Sequence, residues 1–453
     1  MLKSLIRFIA STWRRVNRRF PIGLIFIALP SIFAEKRHSP VTPWFPFSGY
    51  PIGSRANGKE IVMLTISNLR IDPRIEREAR ALAKAGYTVT VIAPDPRLQP
   101  DEPISVDWGI DVNFDWIDPG AITFPWEWPG FIGREFYNVA ITKSPFAFHA
   151  HDLFTAFIGL SVAKKTGAHL VCDFHEWGSE NVKWSGWAKK WKPYPWMWKG
   201  PLKWLERRCF RDASEIITVC DSIADAMAEE SGSGRRAVVV RNIPALDLKP
   251  TKKYPPLRKQ IKVAKDQFIL LWQGGTGPTR LIEPIIEALA LAPRCTFVIR
   301  GPSLDIFGDE YKEIAERIGA TDRLILLPPV PSRDVVSAAH GADAGIWSLP
   351  DLCRNFRLAL PNKIFEYLAS GLPILVADYP EARKIALELK VGLTFDPYDP
   401  HSIAKSINQL IDDSEETTRM QDAIPGALKA LDATNEWAKL ADIYDKLPKG
   451  MSK

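Results

Sequence analysis

The chain has 453 residues, long enough for two cores, and 46% hydrophobic with 25% charged residues excludes a disordered or low-complexity protein. Five scattered cysteines (Cys172, Cys209, Cys220, Cys295, Cys353) form no C-x-x-C pair and no His/Cys cluster of metal spacing, which argues against a disulfide framework or a zinc site. The net charge of +6 is concentrated in residues 1–40, which carry +7 and leave −1 for the rest, so the body is not a basic nucleic-acid-binding domain.

Residues 1–40 are expected to associate with a membrane. Leu2, Leu5, Ile6, Ile9, Trp13, Val16 and Phe20 recur at steps of three and four, and Arg14 and its neighbouring arginines fill the opposite side. That is the pattern of a cationic helix lying in a lipid interface. The apolar run from Phe20 to Ala34 is short for a span and is interrupted by Pro21 and Pro30, so residues 1–34 read as a monotopic or re-entrant anchor. A cleaved signal peptide and a helix packed on the body are the competing readings, and Ile32 suits a cleavage site poorly. Residues 41–58 read as a linker.

Residues 59–244 alternate strands and helices. "EIVMLTIS" reads as a strand, "DPRIEREARALAKAG" as a helix with Asp72 as N-cap and Pro73 in its first turn, and "YTVTVIAP" as the next strand. "FAFHAHD", "HLVCDFHEW", "EIITVCDS" and "AVVVRNIP" continue the series, which is βαβ logic and a parallel sheet. Trp184 to Arg211 holds six of the sixteen tryptophans and eight Lys/Arg. Aromatic rings interleaved with cations suit a headgroup layer, with Trp191, Trp196 and Trp198 joining Trp13 and Arg14 as membrane contacts. The competing reading is a loop whose tryptophans pack under the body while its lysines face water.

Residues 245–266 are basic and strand-poor, a second linker. The alternation restarts over 267–428 with "QFILLWQGG", a helix from Leu281, "CTFVIRG", a helix after Asp309, "RLILLPPV", "AGIWSL" and "PILVA". A helix over 429–453 can cross back to the first domain. The expected class is α/β: two Rossmann-like, doubly wound domains facing a cleft, so residues at the carboxyl ends of strands deserve the weight.

Four stretches place chemistry there. "WQGGTGPTR" puts Gly274, Gly275 and Arg280 between a strand and a helix, where backbone amides and a cation can meet an anion. "FHAHD" supplies His149, His151 and Asp152, and "CDFHEW" supplies Asp173, His175 and Glu176. H-x-H lacks a third ligand at helical spacing, so no metal is expected. "LPNKIFEYLASGLPIL" reads as a helix of about three turns feeding a core strand, with Pro361 in its first turn and Gly371 past its end. Glu366 lies one step round from the apolar face of Ile364, Phe365, Leu368 and Ala369, and on its own reads as a solvated helix glutamate.

In this order, "NLRIDPRIEREARALAKAGYTVTVIAP", "HAHD", "DFHEW", the "QGG…R" turn and "ALPNKIFEYLASGLPIL" resemble the blocks of the family 4 (group 1) glycosyltransferases, in the branch with a P-N-K-x-x-E-Y block. The resemblance covers about residues 58–445 and implies the GT-B fold. It implies a nucleotide-diphosphate sugar as co-substrate, no cofactor and no metal. Glu366 would accept the ribose hydroxyls, Gly274, Gly275 and Arg280 would hold the diphosphate, and Asn362 and Lys363 would lie near the donor. His175 matches the histidine that reaches the donor sugar, and His151 and Asp152 join it as candidate catalytic groups. The implied activity is a retaining, hexosyltransferase-type transfer to a lipid-linked or envelope glycan acceptor, in polysaccharide biosynthesis at the cytoplasmic face of the inner or plasma membrane. A nucleotide-sugar epimerase and a non-catalytic membrane-bound scaffold are the alternatives. Two positions depart from the family pattern. Many members carry a second glutamate where Leu358 stands, and a lysine just after the diphosphate arginine, where Leu281, Ile282 and Glu283 stand. Arg300, Arg354 and Lys363 are the cations left to replace that lysine.

Overall fold

The computed structural model describes residues 59–448, apart from 68, 70–71, 96–105, 107, 118–135, 186–189, 245–252, 265 and 433–434. The expected anchor at 1–40, with Trp13 and Arg14, and the linker at 41–58 lie outside the described residues.

Two parallel sheets form the body. The first is built from β1 (Glu60–Leu64), β2 (Thr88–Pro94), β3 (Val112–Ile117), β4 (Ala147–His151) and β5 (His169–Phe174). An antiparallel hairpin, β6 (Val182–Ser185) with β7 (Lys190–Pro193), interrupts it before β8 (Glu215–Thr218) and β9 (Val238–Val239) close the edge. The order is β3-β2-β1-β4-β5-β8-β9. The second sheet has β10 (Phe268–Gln273), β11 (Cys295–Arg300), β12 (Leu324–Leu327), β13 (Ala344–Trp347), β14 (Ile374–Ala377) and β15 (Gly392–Phe395) in the order β12-β11-β10-β13-β14-β15. Helices cover both faces, so the central strands are buried throughout and read as unbroken apolar runs rather than alternating ones. In each sheet the strand order reverses at one point, between β1 and β4 and between β10 and β13. A crevice opens outside the strand ends at such a point.

Several elements were not read from the sequence, among them β15 and the Trp196–Asp212, Asp221–Ser231 and Pro400–Asp412 helices. β3 and the hairpin were not anticipated, and the Asp152–Thr166 helix is apolar nearly all round because it is buried, leaving no helical period to read. Three expected helices differ in extent. The one placed at Leu281 starts at Glu283 and ends at Glu287, because Leu281 is left-handed with φ 52°. The one placed after Asp309 already starts at Leu304. The Asn362–Ala369 helix has 8 residues, shorter than expected, and Pro361 caps it from outside in extended backbone.

The Ala438–Lys446 helix packs back on the first domain, burying Leu440 and Tyr444 with Ile75, Ala79 and Leu82 of the Pro73–Lys84 helix. The facing edges of the two domains are bonded. The Trp177 amide donates to Asn355 Oδ1 (2.8 Å), the Ser222 amide to Glu381 Oε1 (2.7 Å), and Arg333 Nε to Glu76 Oε1 (3.1 Å). No helix among the described residues is long and apolar enough to cross a membrane.

Candidate active site

In the second domain the site begins where β10 ends. Gly274 has φ 132°, and a Cβ there would lie 2.3 Å from Lys363 Cε, so only glycine lets the lysine cross the turn. The Asn362–Ala369 helix is pinned by Tyr367, whose hydroxyl accepts the Gln273 amide (2.8 Å) and donates to the Ile346 carbonyl (3.2 Å). Its ring fills the space that Gly345 leaves, where a Cβ would stand 2.2 Å away. That fit turns the preceding residue, Glu366, toward the cleft. Glu366 is only 9% exposed, yet no hydrogen bond or ion pair from the described residues reaches its carboxylate. It is therefore not the solvated glutamate that the helix alone suggested. Burial raises its pKa, against the pull of Arg77 and Lys363. Its oxygens are not sealed off as those of Glu78 are, so a donor entering the cleft can reach them.

Gly275 and Arg280 complete this half. Arg280 Nη1 donates only to its neighbour Thr279, at the carbonyl (3.1 Å) and the hydroxyl (3.2 Å). Burial lowers its pKa against the attraction of Glu176 in the other domain. Glu176 facing Arg280 and Arg77 facing Glu366 bring the two half-sites together across one cleft.

In the first domain, β4 and β5 deliver the histidines. His175 Nε2 lies 3.0 Å from Asp173 Oδ2 and 3.1 Å from His151 Nδ1. Its backbone N–H donates to Asp152 Oδ1 (3.0 Å), and its Nδ1 stands 3.7 Å from Asp152 Oδ2. Burial opposes the charge, but Asp152 and Asp173 outweigh it and push His175 up to about 10. His151 is fully enclosed, and burial and the charge of His149 hold its pKa well below the ordinary value. Asp152 is pushed up to about 6 by burial and sits in left-handed backbone, φ 63°, at the strand-to-helix corner. Aspartate tolerates that conformation better than most side chains. The three expected catalytic residues are thus brought together, with His175 and Asp152 toward the cleft and His151 behind them.

Behind His151 lies a network that the sequence reading did not single out. Arg74 Nη2 and Nε hold Asp173 at 2.9 and 3.0 Å, and Arg74 Nε also lies 2.7 Å from Glu78. His149 Nε2 is 3.1 Å from Glu78 Oε2, and its Nδ1 meets the Tyr444 hydroxyl at 2.5 Å. Asp173 stays well below the usual carboxylate range, because Arg74 and His175 overcome its burial. The signal was present in "DPRIEREARALAKAG": Arg74 and Glu78 sit four apart on the face that the apolar residues bury.

Glu78, His149, His151 and Asp173 offer ligand atoms within 4.8 Å of one another, so the absence of a third ligand from H-x-H is not a sound argument against metal. The stronger argument is Arg74, whose guanidinium already lies against both carboxylates. A divalent ion among them would sit beside a buried cation.

Of the expected membrane contacts, Trp196 is 80% exposed at the start of the Trp196–Asp212 helix. Trp198 stacks on Tyr194 with Lys183 Nζ 4.6 Å above its ring. Trp191 departs from the expectation, since it packs against the core from β7. The helix's cations are paired within the protein: Lys199 with Glu180 (2.6 Å), Lys203 with Glu180 and Glu230 (both 3.1 Å), and Arg208 with Asp212 (2.7 Å).

Residues 71–243 match the glycosyl transferase 4-like domain family, and residues 254–425 match the glycosyl transferases group 1 family. D-inositol 3-phosphate glycosyltransferase of Corynebacterium glutamicum is 31% identical over 134 residues, 29% of this chain and 29% of that protein. The chain thus matches less than a third of that relative's length. Among solved structures, a sucrose-phosphate synthase from Thermosynechococcus elongatus superposes with a TM-score of 0.67 at 16% identity, over 86% of this chain and 98% of that one. Anabaena HepE, solved with UDP-glucose, gives 0.64 at 16% identity, over 86% and 100%. At that identity the likeness is one of fold.

Proposed function

The chain belongs to the group 1 glycosyltransferases, with a two-domain GT-B fold, and we propose that it is a retaining hexosyltransferase drawing on a nucleotide-diphosphate sugar. The observation that carries this reading is Glu366, a nearly buried carboxylate in the cleft with no donor of its own. Two oxygens of one carboxylate can accept both hydroxyls of a ribose, as in dinucleotide folds. Arg280 and the bare backbone of Gly274 and Gly275 lie beside it for the diphosphate, and Asn362 opens the adjoining helix.

Transfer breaks the bond between the anomeric carbon and the leaving phosphate oxygen. The acceptor hydroxyl oxygen enters on the same face, and its proton passes to the departing phosphate. Negative charge growing on the diphosphate is met by Arg280 and backbone amides, with no metal required. His175 is charged at neutral pH, so it acts as a donor to a hydroxyl of the transferred sugar rather than as a base. Asp152 and His151 orient it, and Asp173 maintains its charge. Closure of the cleft excludes water, which would otherwise compete as acceptor.

The acceptor in this reading is lipid-linked or an envelope glycan, presented at the cytoplasmic face of a membrane. The cationic amphipathic pattern of residues 1–34 supports this, as do Trp196 and Trp204, exposed by 80% and 46% on one helix of the first domain. A test is turnover by the full chain on anionic vesicles carrying extracted lipid-linked glycans, with UDP-, GDP-, ADP- and dTDP-sugars, reading nucleoside diphosphate release and the anomer formed by NMR. Acceptor-dependent release with the donor's configuration kept is expected. An inverted product refutes retention, and nucleotide binding without turnover on any donor favours the scaffold.

A further inference from the structure

Two cations in the donor half of the cleft make no direct ion pair with a described residue, although Glu176 faces one and Glu366 the other. Arg280 bonds only to Thr279, and Lys363 makes no hydrogen bond or ion pair with any described residue. Both lie against the bare glycine turn after β10. A Cβ on Gly275 would stand 3.5 Å from Arg280 Nε, and one on Gly274 would stand 2.8 Å from Lys363 Nζ. The Lys363 ammonium is half-buried, with Nζ 5.6 Å from the centre of the buried Trp272 ring, and Glu366, three residues on along the same helix, does not pair with it. Two unpaired, partly desolvated cations at a strand-end turn without side chains form a site for a dianion.

We propose that Lys363 is the second cation of the diphosphate site, taking the place of the lysine that this chain lacks after Arg280. The proposal rests on the nucleotide-diphosphate reading above and names the residue that completes its clamp. The two other cations that the sequence left open are engaged elsewhere. Arg300 donates to Gln273 Oε1 (3.1 Å), Gln260 Oε1 (2.9 Å) and the Ala338 carbonyl (2.5 Å), which ties it to the second domain's own frame. Arg354 lies 4.4 Å over the Trp177 ring and 3.8 Å from Glu230, both in the first domain.

The charge on Lys363 is set locally. Burial and Arg280 lower its pKa to about 8, against Glu366 on its own helix. Arg77, from the Pro73–Lys84 helix, offsets part of that Glu366 field, and Glu176 faces Arg280. A diphosphate arriving between the two cations stabilises the ammonium, so the fraction of Lys363 that is neutral takes up a proton on binding.

The test is calorimetry on the full chain and on Lys363→Met, Lys363→Gln and Lys363→Arg, with circular dichroism to confirm folding. The probes are UDP, GDP, ADP and dTDP, the four matching nucleosides, and inorganic pyrophosphate. Removing the charge is expected to weaken the nucleoside diphosphate that the wild type binds by about 10- to 100-fold. It should weaken pyrophosphate in parallel, leave the nucleoside unchanged, and be largely repaired by Lys363→Arg. Repeating the titration near pH 8 in buffers of different ionisation enthalpy should show proton uptake that Lys363→Met abolishes. Unchanged diphosphate affinity in folded Lys363→Met or Lys363→Gln overturns the assignment but leaves the donor site standing. An equal loss for nucleoside and diphosphate overturns it too, as does a wild type that binds no nucleotide, which sinks the donor reading as well.

Discussion

Asp173→Asn removes one charge from the centre of the first domain without changing its shape. Asp173 and Arg74 are 0% and 1% exposed, so water does not screen their pair. The wild-type carboxylate takes two hydrogen bonds from Arg74, at 2.9 and 3.0 Å, and one contact from His175 at 3.0 Å. Breaking a buried pair costs about 3–5 kcal/mol, because the remaining partner stays buried and uncompensated. Glu78 remains 2.7 Å from Arg74 Nε, which holds the loss toward about 3 kcal/mol. Urea unfolding at neutral pH, followed by circular dichroism, reads the shift. With a slope of about 1–3 kcal/mol per molar, the first domain's midpoint should fall by about 1 M or more. The two domains can unfold in separate steps, so only the transition that moves is assigned to the mutation. A loss below about 1 kcal/mol would refute the reasoning, because it would mean that water or a mobile partner already compensates Arg74.

The pH dependence of stability follows from the same cluster. The folded pKa of His175 is raised from 6.5 to about 10, so its contribution is fully present below pH 6.5 and is lost as pH rises toward 10. Asp173 is depressed, so its contribution holds above the ordinary carboxylate range and disappears in acid. Melting temperatures scanned across pH should show an alkaline decline that His175→Asn flattens; an unchanged alkaline limb would refute the charged histidine. On the Trp196–Asp212 helix, Trp196→Ala with Trp204→Ala should weaken binding to anionic vesicles by about tenfold, measured by sedimentation, and no change would assign those rings to another partner.

The parts legible in the sequence were those whose physics is local. The central strands of both sheets were readable because strands buried on both faces are written as apolar runs between glycines and prolines, as in "QFILLWQGG" and "PILVA", whereas the half-buried edge strands β3 and β15 were not. The Asp152–Thr166 helix was not, since a fully enclosed helix has no polar side to mark its period. Glu366 is conspicuous as a charge inside a buried block, but its helix alone reads it as solvated, and its expected role comes from the family resemblance. Arg74 and Glu78 stayed hidden because charges on an amphipathic helix look solvated until the fold covers them. Tyr444 reaches His149 from 295 residues away, a contact that tertiary packing alone decides. Lys363 was one of three candidates in the chain, and it is distinguished by the glycine turn that it crosses.

The measurement that bears most directly on the donor site is calorimetric titration of the full chain with UDP, GDP, ADP and dTDP, repeated with Glu366→Ala. Micromolar binding of one nucleotide is expected, weakened by about 100-fold or more in Glu366→Ala through the loss of two charge-assisted hydrogen bonds. Equal affinity in the two proteins, or no binding of any nucleotide to a well-folded wild type, would contradict the role given to Glu366 and the donor site built around it.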